Sequence, residues 1–452
     1  MDSLKWYEKA RGMKKPLEKK EKHASRKEGK NLSSGKGKDK ISDEKKTPAK
    51  KEYQTVKRTS SKSETSVKSL DSLLNFASLP EDCRKVLENF DTIIENCKSL
   101  SSKHKALLPK QIKDLSHFLT DERSERRLGY MNETTTLSSY IYYYAWWNLV
   151  RLTRLFANLP SDFFKFDEKG IALDLGSGPL TLVISLFIAR PELRNKDITF
   201  YCMDLSSKAL SRGEEIFLSV AAFLKCEPWK IVRIQGNAGE AIKEKADLVC
   251  AANVFNEISQ GTNLPPDYLA KKYTDMLSSY AKKDAEIIVV EPGVPSAARL
   301  VSLMRDSFIR KNFLPSSPCL HCSSCPMDGK KGGKWCNFAF NTENAPKKLR
   351  KLSEASGLPK ERAVLTFIAC KRKEDSENSK DEEKALQEIK FRIASDPIRL
   401  AGKRQGFYAC SSIGLLLIET DDALHSGEAY SVLTEKKDFP LDSKSGAKIV
   451  KL

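Results

Sequence analysis

Cys319, Cys322, Cys325 and Cys336 fall in one short stretch, SPCLHCSSCPMDGKKGGKWCNFAF, with His321 among them. The stretch is rich in Gly, Lys and Pro and poor in aliphatics, so it has little apolar surface with which to fold. Thiolates are soft ligands for zinc and for iron-sulfur clusters alike, and bound metal supplies the folding free energy that such a segment lacks. Zinc held by four cysteines, zinc held by three cysteines and the histidine, and an iron-sulfur cluster all fit these residues. A metal-binding insertion is therefore expected at residues 313–340.

A second candidate site follows the strand-like run IALDL, Ile171 to Leu175, where Gly176-Ser177-Gly178-Pro179 begins and where Asp204 ends the next such run. Glycines let a backbone turn tightly and approach a ligand, and an acid at the end of the second strand can hold ribose hydroxyls. A dinucleotide fingerprint would place a third glycine three residues after Gly178, and this chain has Thr181 there. Asn253 and Glu257, in AANVFNEI after the fourth strand, are polar candidates, or simply cap a helix or hold the fold together. Cys250 lies inside an apolar run and reads as buried filler rather than a nucleophile. No catalytic residue is identifiable.

Elements must position these groups, and 452 residues with 40% hydrophobic and 8% aromatic content suffice for a large core and two or three domains. No apolar run approaches the roughly 18–20 residues of a spanning helix, which excludes a membrane-spanning protein. The N-terminal segment MDSLKWYEKARGMKKPLEKK has no apolar region for export, so the eleven cysteines are expected as reduced thiols rather than disulfides.

Residues 1–68 carry 22 Lys+Arg against 10 Asp+Glu, which leaves 56 against 50 for the remainder of a chain of net charge +18. This Lys/Ser/Gly-rich tail buries too little to offset the entropy of ordering and is expected to be disordered. It serves as a solubilising extension or as an electrostatic attachment to a polyanion. Nucleic acid is favoured over membrane, because the tail has no amphipathic apolar face.

Residues 69–165 read as helical from Leu70, most clearly over Thr136 to Leu155. There Leu137, Tyr140, Ile141, Tyr144, Trp147 and Leu152 recur at helical spacing as core. Residues 166–373 alternate strands and helices: Ile171–Leu175, Ile198–Asp204, Ile231–Asn237, Asp247–Asn253 and Glu286–Pro292, with Glu361–Arg372 as a late strand of the same sheet. Alternation of this kind implies a parallel sheet wrapped by helices, an α/β, Rossmann-like fold. An acidic linker at residues 374–388 precedes a small β-rich C-terminal unit, residues 389–452.

LDLGSGP followed by Asp204 resembles the S-adenosylmethionine site of class I methyltransferases. The resemblance implies that the loop with Asp174, Gly176 and Gly178 meets the amino-acid moiety, that Asp204 binds ribose and that Asn237 and Ala238 lie near adenine. Enzymes of that class acting on exocyclic nitrogens often carry an Asn/Asp-Pro-Pro-aromatic turn where this chain reads AANVFNEI.

The ordered set LDLGSGP, DLVCAANVFNEI, VVEPGVPSAARL, CLHCSSCP and WCNF resembles the methyltransferase-like small-ribosomal-subunit assembly factors of mitochondria and bacteria, over roughly residues 120 to 430. This resemblance implies a [4Fe-4S] cluster held by Cys319, Cys325, Cys336 and, from AGKRQGFYACSS, Cys410, with Cys322 surplus. It also implies ribosomal RNA and the small subunit as partners. Lys330, Lys331, Lys334, Lys347, Lys348, Arg350, Lys351, Arg399, Lys403 and Arg404 would form the positive face. The expectation is a monomer with no DNA or membrane partner, in a bacterial cytoplasm or, in a eukaryote, a mitochondrion. The residues are compatible with three functions: an assembly factor whose methyl transfer is weak or lost, a working ribosomal RNA methyltransferase, or a zinc-stabilised RNA-binding protein without cofactor.

Overall fold

A computed structural model describes residues 67–120, 129–166, 168–259, 262–372, 387–401, 404–435 and 438–452. Residues 1–66 of the basic tail and nearly all of the acidic linker lie outside the described residues.

The chain enters through a strand, β1 (Val67–Ser72), and then a helical layer of α1 (Glu81–Glu88), α2 (Phe90–Cys97), α3 (Ser102–Thr120), α4 (Thr134–Ser139) and α5 (Trp146–Phe156). A π-helical stretch, Tyr140–Ala145, joins the last two. Leu70 therefore does not begin a helix. The free edge of a C-terminal strand offers the backbone of Val67–Ser72 a ladder of partners, and that tertiary pairing overrides the local pattern. The aromatics of Thr136–Leu155 do face the core: Tyr143, Trp146 and Trp147 are buried, and Tyr140 is half-buried.

The alternation after Gly170 builds one sheet from β2 (Lys169–Leu175), β3 (Asp197–Asp204), β4 (Lys230–Gln235), β5 (Ala246–Ala252), β6 (Ala281–Pro292), β7 (Phe313–Ser317), β8 (Phe338–Asn341) and β9 (Arg362–Arg372). Its order is β4-β3-β2-β5-β6-β9-β7, with β8 also on β9. β2 to β6 run parallel, and β9 runs antiparallel to β6 and β7. The helices α6 (Thr181–Ala189), α7 (Ser207–Leu224), α8 (Phe255–Ile258), α9 (Pro266–Tyr280), α10 (Pro295–Arg310) and α11 (Lys347–Ala355) occupy its connections. α6, apolar on every side, is buried throughout. β7, β8 and α11 flank the cysteine-rich stretch and were hidden by its Gly/Pro/Lys composition. No described helix is long and apolar enough to cross a membrane.

The last strands are β10 (Gln387–Ile393), β11 (Ile398–Arg399), β12 (Gln405–Ser411), β13 (Gly414–Thr420), β14 (Glu428–Thr434) and β15 (Lys448–Lys451). β10 pairs with both β12 and β14, β12 pairs with β13, and β13 runs parallel to β15. Leaving out the short β11, the first strand flanked by the second and fourth, with third and fifth parallel, is the pairing of a five-stranded OB-type Greek-key barrel. β1 extends the free edge of β14. The barrel core takes alternate residues, Ile389, Phe391 and Ile393 on β10 with Phe407 and Ala409 on β12. By the same alternation Tyr408 and Cys410 face outward, and both pack against the core beneath the helical layer.

α7 passes directly under the glycine loop at Gly213, where a Cβ would stand 2.4 Å from the backbone carbon of Pro179 and 2.7 Å from Leu180. Backbone cannot swing away as a flexible side chain can. Gly213→Val is expected to cost about 1–3 kcal/mol, read as a lower urea midpoint. An unchanged midpoint would contradict this packing.

Candidate cofactor cleft and thiol site

The first site opens at the C-terminal ends of β2, β3 and β5, where the strand order reverses, as ligand crevices do in open α/β sheets. Gly176 and Gly178 both adopt positive φ, +67° and +50°, and a Cβ on Gly176 would meet Val254 at 2.3 Å. The N–H groups of Gly176 and Ser177 donate to the Met203 carbonyl at 2.8 and 3.1 Å, which ties the loop to the end of β3. Asp204 accepts from the Gly178 N–H at 2.9 Å and the Ser206 N–H at 2.8 Å.

The resulting cleft, about 1010 Å³ counting its open mouth, is lined by all six residues that the sequence nominates: Asp174, Gly176, Gly178, Asp204, Asn237 and Ala238. Asn253 and Glu257 line it too, as do Met131 and Tyr140 from the helical region. The sequence pattern points to core for that region, with base stacking as the rival, and not to a wall of this cleft. A partial signal existed in its aromatic run, but a π-helical turn is not legible from periodicity.

The electrostatics of the cleft are one-sided. Asp174, Asp204 and Glu257 line it, and among the described residues no Lys, Arg or His does. Asp174 is buried and its Oδ2 has no hydrogen-bond partner. Burial, reinforced by the charge of Asp204 and only partly opposed by Ser177, pushes its carboxyl up to about 8. A cation entering here would find an acceptor already desolvated, whereas a pyrophosphate would meet three acids. The lining is thus acidic within a strongly basic protein.

Glu291 was noticed in sequence only as part of a motif, yet it fixes the segment that closes the cleft. Its buried carboxylate accepts the N–H groups of Val254, Phe255 and Asn256 at 3.1, 2.8 and 3.2 Å. Asn253, just before them, holds φ +59° while its N–H donates to the Val290 carbonyl at 2.8 Å. The AANVFNEI turn is thus rigidly presented.

The second site lies between the α/β sheet and the barrel. Cys319, Cys325 and Cys336 come from the β7–β8 connection, and Cys410 reaches the same place from β12. The thiols lie near enough to raise one another's pKa. Burial, with those mutual charges added, drives Cys319 up to about 11 and Cys336 and Cys410 well above the usual thiol range. Cys325 is raised chiefly by burial. Cys322 is exposed. His321 Nε2 lies 3.2 Å from Cys410 Sγ.

Two buried arginines, missed in the sequence, frame the thiols. Arg305 Nε donates to Cys319 Sγ at 3.2 Å, and its Nη2 donates to the carbonyls of His321 and Ser323, both at 2.8 Å. Arg392, opposite Cys410 in the β10–β12 ladder, donates to the carbonyls of Pro318 at 2.6 Å and Gly427 at 2.8 Å and pairs with Asp71. Soft donors beside fixed positive charge suit an anionic metal-thiolate centre, since the two guanidiniums favour the thiolate form of the thiols near them. Among the described residues no group of three or more His, Cys, Asp or Glu side chains stands close enough to hold a single ion.

The remaining basic residues divide among elements. Lys334 sits 4.1 Å above the Tyr408 ring, Arg404 pairs with Glu419, Lys347, Lys348, Arg350 and Lys351 belong to α11, and Lys403 lies outside the described residues.

A seven-strand order with β2 and β5 adjacent at the reversal, β9 reversed between β6 and β7, and a glycine loop facing an acid on β3 together define a class I methyltransferase-like fold. The family model described as mitochondrial small ribosomal subunit Rsm22 matches residues 162–417, and the chain belongs to the Rsm22 family. Solved structures similar to it include the SAM-dependent methyltransferase of Thiobacillus denitrificans in complex with S-adenosyl-L-homocysteine, at 12% identity over 50% of this chain and 91% of that one, TM-score 0.29. Another is the precorrin-6y C5,15-methyltransferase of Geobacter metallireducens, at 12% identity over 46% of this chain and 83% of that one, TM-score 0.27. A search of curated proteins gives no significant match.

Arg392 tethers the cysteine loop, β1 and the barrel at once. Arg392→Ala is expected to cost about 2–4 kcal/mol, since it leaves buried carbonyls unpaired, and to speed alkylation of Cys410. Arg399→Ala, on the exposed β11, is the control. Unchanged stability and labelling in the Arg392 variant would contradict the tether.

Proposed function

We propose that this protein is a ribosomal RNA-binding assembly factor of the small mitochondrial ribosomal subunit, with an S-adenosylmethionine cleft and a [4Fe-4S] centre that joins its two β modules. The family description supports the subunit and the compartment. The observation that carries the cofactor reading is the charge of the cleft: three acids and no cation among the described lining residues. S-adenosylmethionine brings a sulfonium and an ammonium group and supplies an electrophilic methyl when bound. Asp174 would hold the ammonium, Asp204 the ribose hydroxyls, and Asn237 and Ala238 the adenine. Asn253 and Glu257, which line the cleft on either side of the turn that Glu291 holds, would face an acceptor.

Cys319, Cys325, Cys336 and Cys410 would hold the cluster, and Arg305 and Arg392 would offset its negative charge. An intact cleft keeps a second reading in play, a working ribosomal RNA methyltransferase.

Binding of a cation requires Asp174 in its charged form. Because its carboxyl titrates near 8 in the free protein, affinity for S-adenosylmethionine should rise as pH climbs from 6 toward 8. Asp174→Asn should bind at least tenfold more weakly and lose this slope. Calorimetry showing equal affinity in the variant would sink the assignment. Incubation of immature small subunits with methyl-labelled cofactor then separates the two readings: the scaffold reading predicts no label in RNA, and label lost on Asp174→Ala would establish the enzyme.

Anaerobically purified full chain is expected to be brown, with about four irons per chain, and Cys410→Ser to lose iron while Cys322→Ser keeps it. A colourless chain containing zinc would contradict the cluster.

A further inference from the structure

The two concave surfaces that would ordinarily receive nucleic acid are both unsuited to it here. The cleft is acidic. The face of an OB-type barrel that most often binds oligonucleotides, its second and third strands, is covered: Tyr408 and Cys410 on β12 and Leu415 on β13 pack into the core beneath the cysteine loop, and Lys334 lies over the Tyr408 ring. A polyanion must dock elsewhere.

α3 and α11 are far apart in sequence but lie against each other in the helical layer. α3 buries Leu108, Ile112 and Leu115. At about 100° per residue, Lys103, Lys110 and Lys113 all point away from that apolar stripe, within an arc of about 80°. α11 buries Leu349 and Ser353 and turns Lys347 and Lys351, one helical turn apart, to the solvent. All five lysines are exposed, and none forms an ion pair among the described residues. The flanking Lys105 and Lys348 are held by Glu95 and Asp91 of α2, each at 2.7 Å, and two exposed acids, Asp114 on α3 and Glu354 on α11, share the outer faces with the five lysines, which outnumber them. At 19 residues, α3 alone presents a ridge of about 28 Å.

We propose that the outer faces of α3 and α11 form one phosphate-binding ridge that docks the protein on folded RNA. This rests on the ribosomal RNA reading above and names the surface that would carry it. Leu107, 40% exposed on α3, is the one large apolar side chain that either helix exposes, too little to enter a bilayer. Lysines without interleaved exposed aromatics read backbone charge rather than bases, which makes the contact independent of sequence.

The test uses the full chain with Lys110, Lys113, Lys347 and Lys351 all changed to Gln, and a control with Lys271→Gln and Lys272→Gln on α9. Binding to a folded small-subunit ribosomal RNA fragment is followed by anisotropy from 50 to 300 mM salt. The wild type and the control should share one slope of log affinity against log salt. The quadruple variant should lose about four units of that slope, roughly one per phosphate contact, and at least tenfold in affinity near 0.15 M, with an unchanged circular dichroism spectrum. A quadruple variant with the wild-type slope overturns the ridge, as does one that retains RNA binding but loses binding to phosphatidylserine vesicles. Failure of the wild type itself to bind RNA would instead sink the assembly-factor reading.

Discussion

Cys410 is the residue on which the architecture turns. It leaves the barrel on the outer face of β12 and meets three thiols from the β7–β8 connection, while Arg392, its partner across the ladder, reaches back to Pro318 beside the first of them. The contact is partly apolar, since Tyr408 and Leu415 of the barrel and Met327 of the cysteine loop belong to one core cluster. Beside them lies a polar set: thiols, two guanidiniums, a histidine and backbone carbonyls. Such a junction is costly to bury unless every member is satisfied, which is why a metal-thiolate centre suits it better than free thiols do.

The same junction explains the segregation of charge. By covering the barrel's ordinary ligand face, it leaves the basic helices α3 and α11 as the outward surface and keeps the acids of Asp174, Asp204 and Glu257 in a cleft of opposite sign. A small cation and a large polyanion could then be bound by one chain without competing. The helical layer contributes to both, because Met131 and Tyr140 wall the cleft while α3 faces out.

Much of the α/β sheet was legible because buried parallel strands are short β-branched runs and the glycine loop has few alternative uses. The strands starting near Ile171, Ile198, Ile231 and Asp247 fall where the pattern puts them, and Arg362–Arg372 does join the same sheet. β1 was not legible, because nothing local in VKSLDS says strand until β14 offers it an edge. Of the site, the residues with distinctive types stood out: glycines, the acids at strand ends and the cysteines. Arg305, Arg392 and Glu291 did not, since an arginine on a helix or a strand looks like surface until its partners, distant in sequence, are in place. Tyr140 was hidden for the opposite reason, as one aromatic among many on a helix face.

The central claim is that one centre binds four thiols and thereby holds two modules together. Hydrogen–deuterium exchange on the full chain, kept anaerobic and then stripped of metal with a chelator, tests it most directly. The account predicts that protection falls together in residues 319–336 and in β10 and β12, while β2, β3 and β5 stay protected. Exchange that is unchanged in those regions on metal removal, or that rises equally throughout the chain, would contradict it.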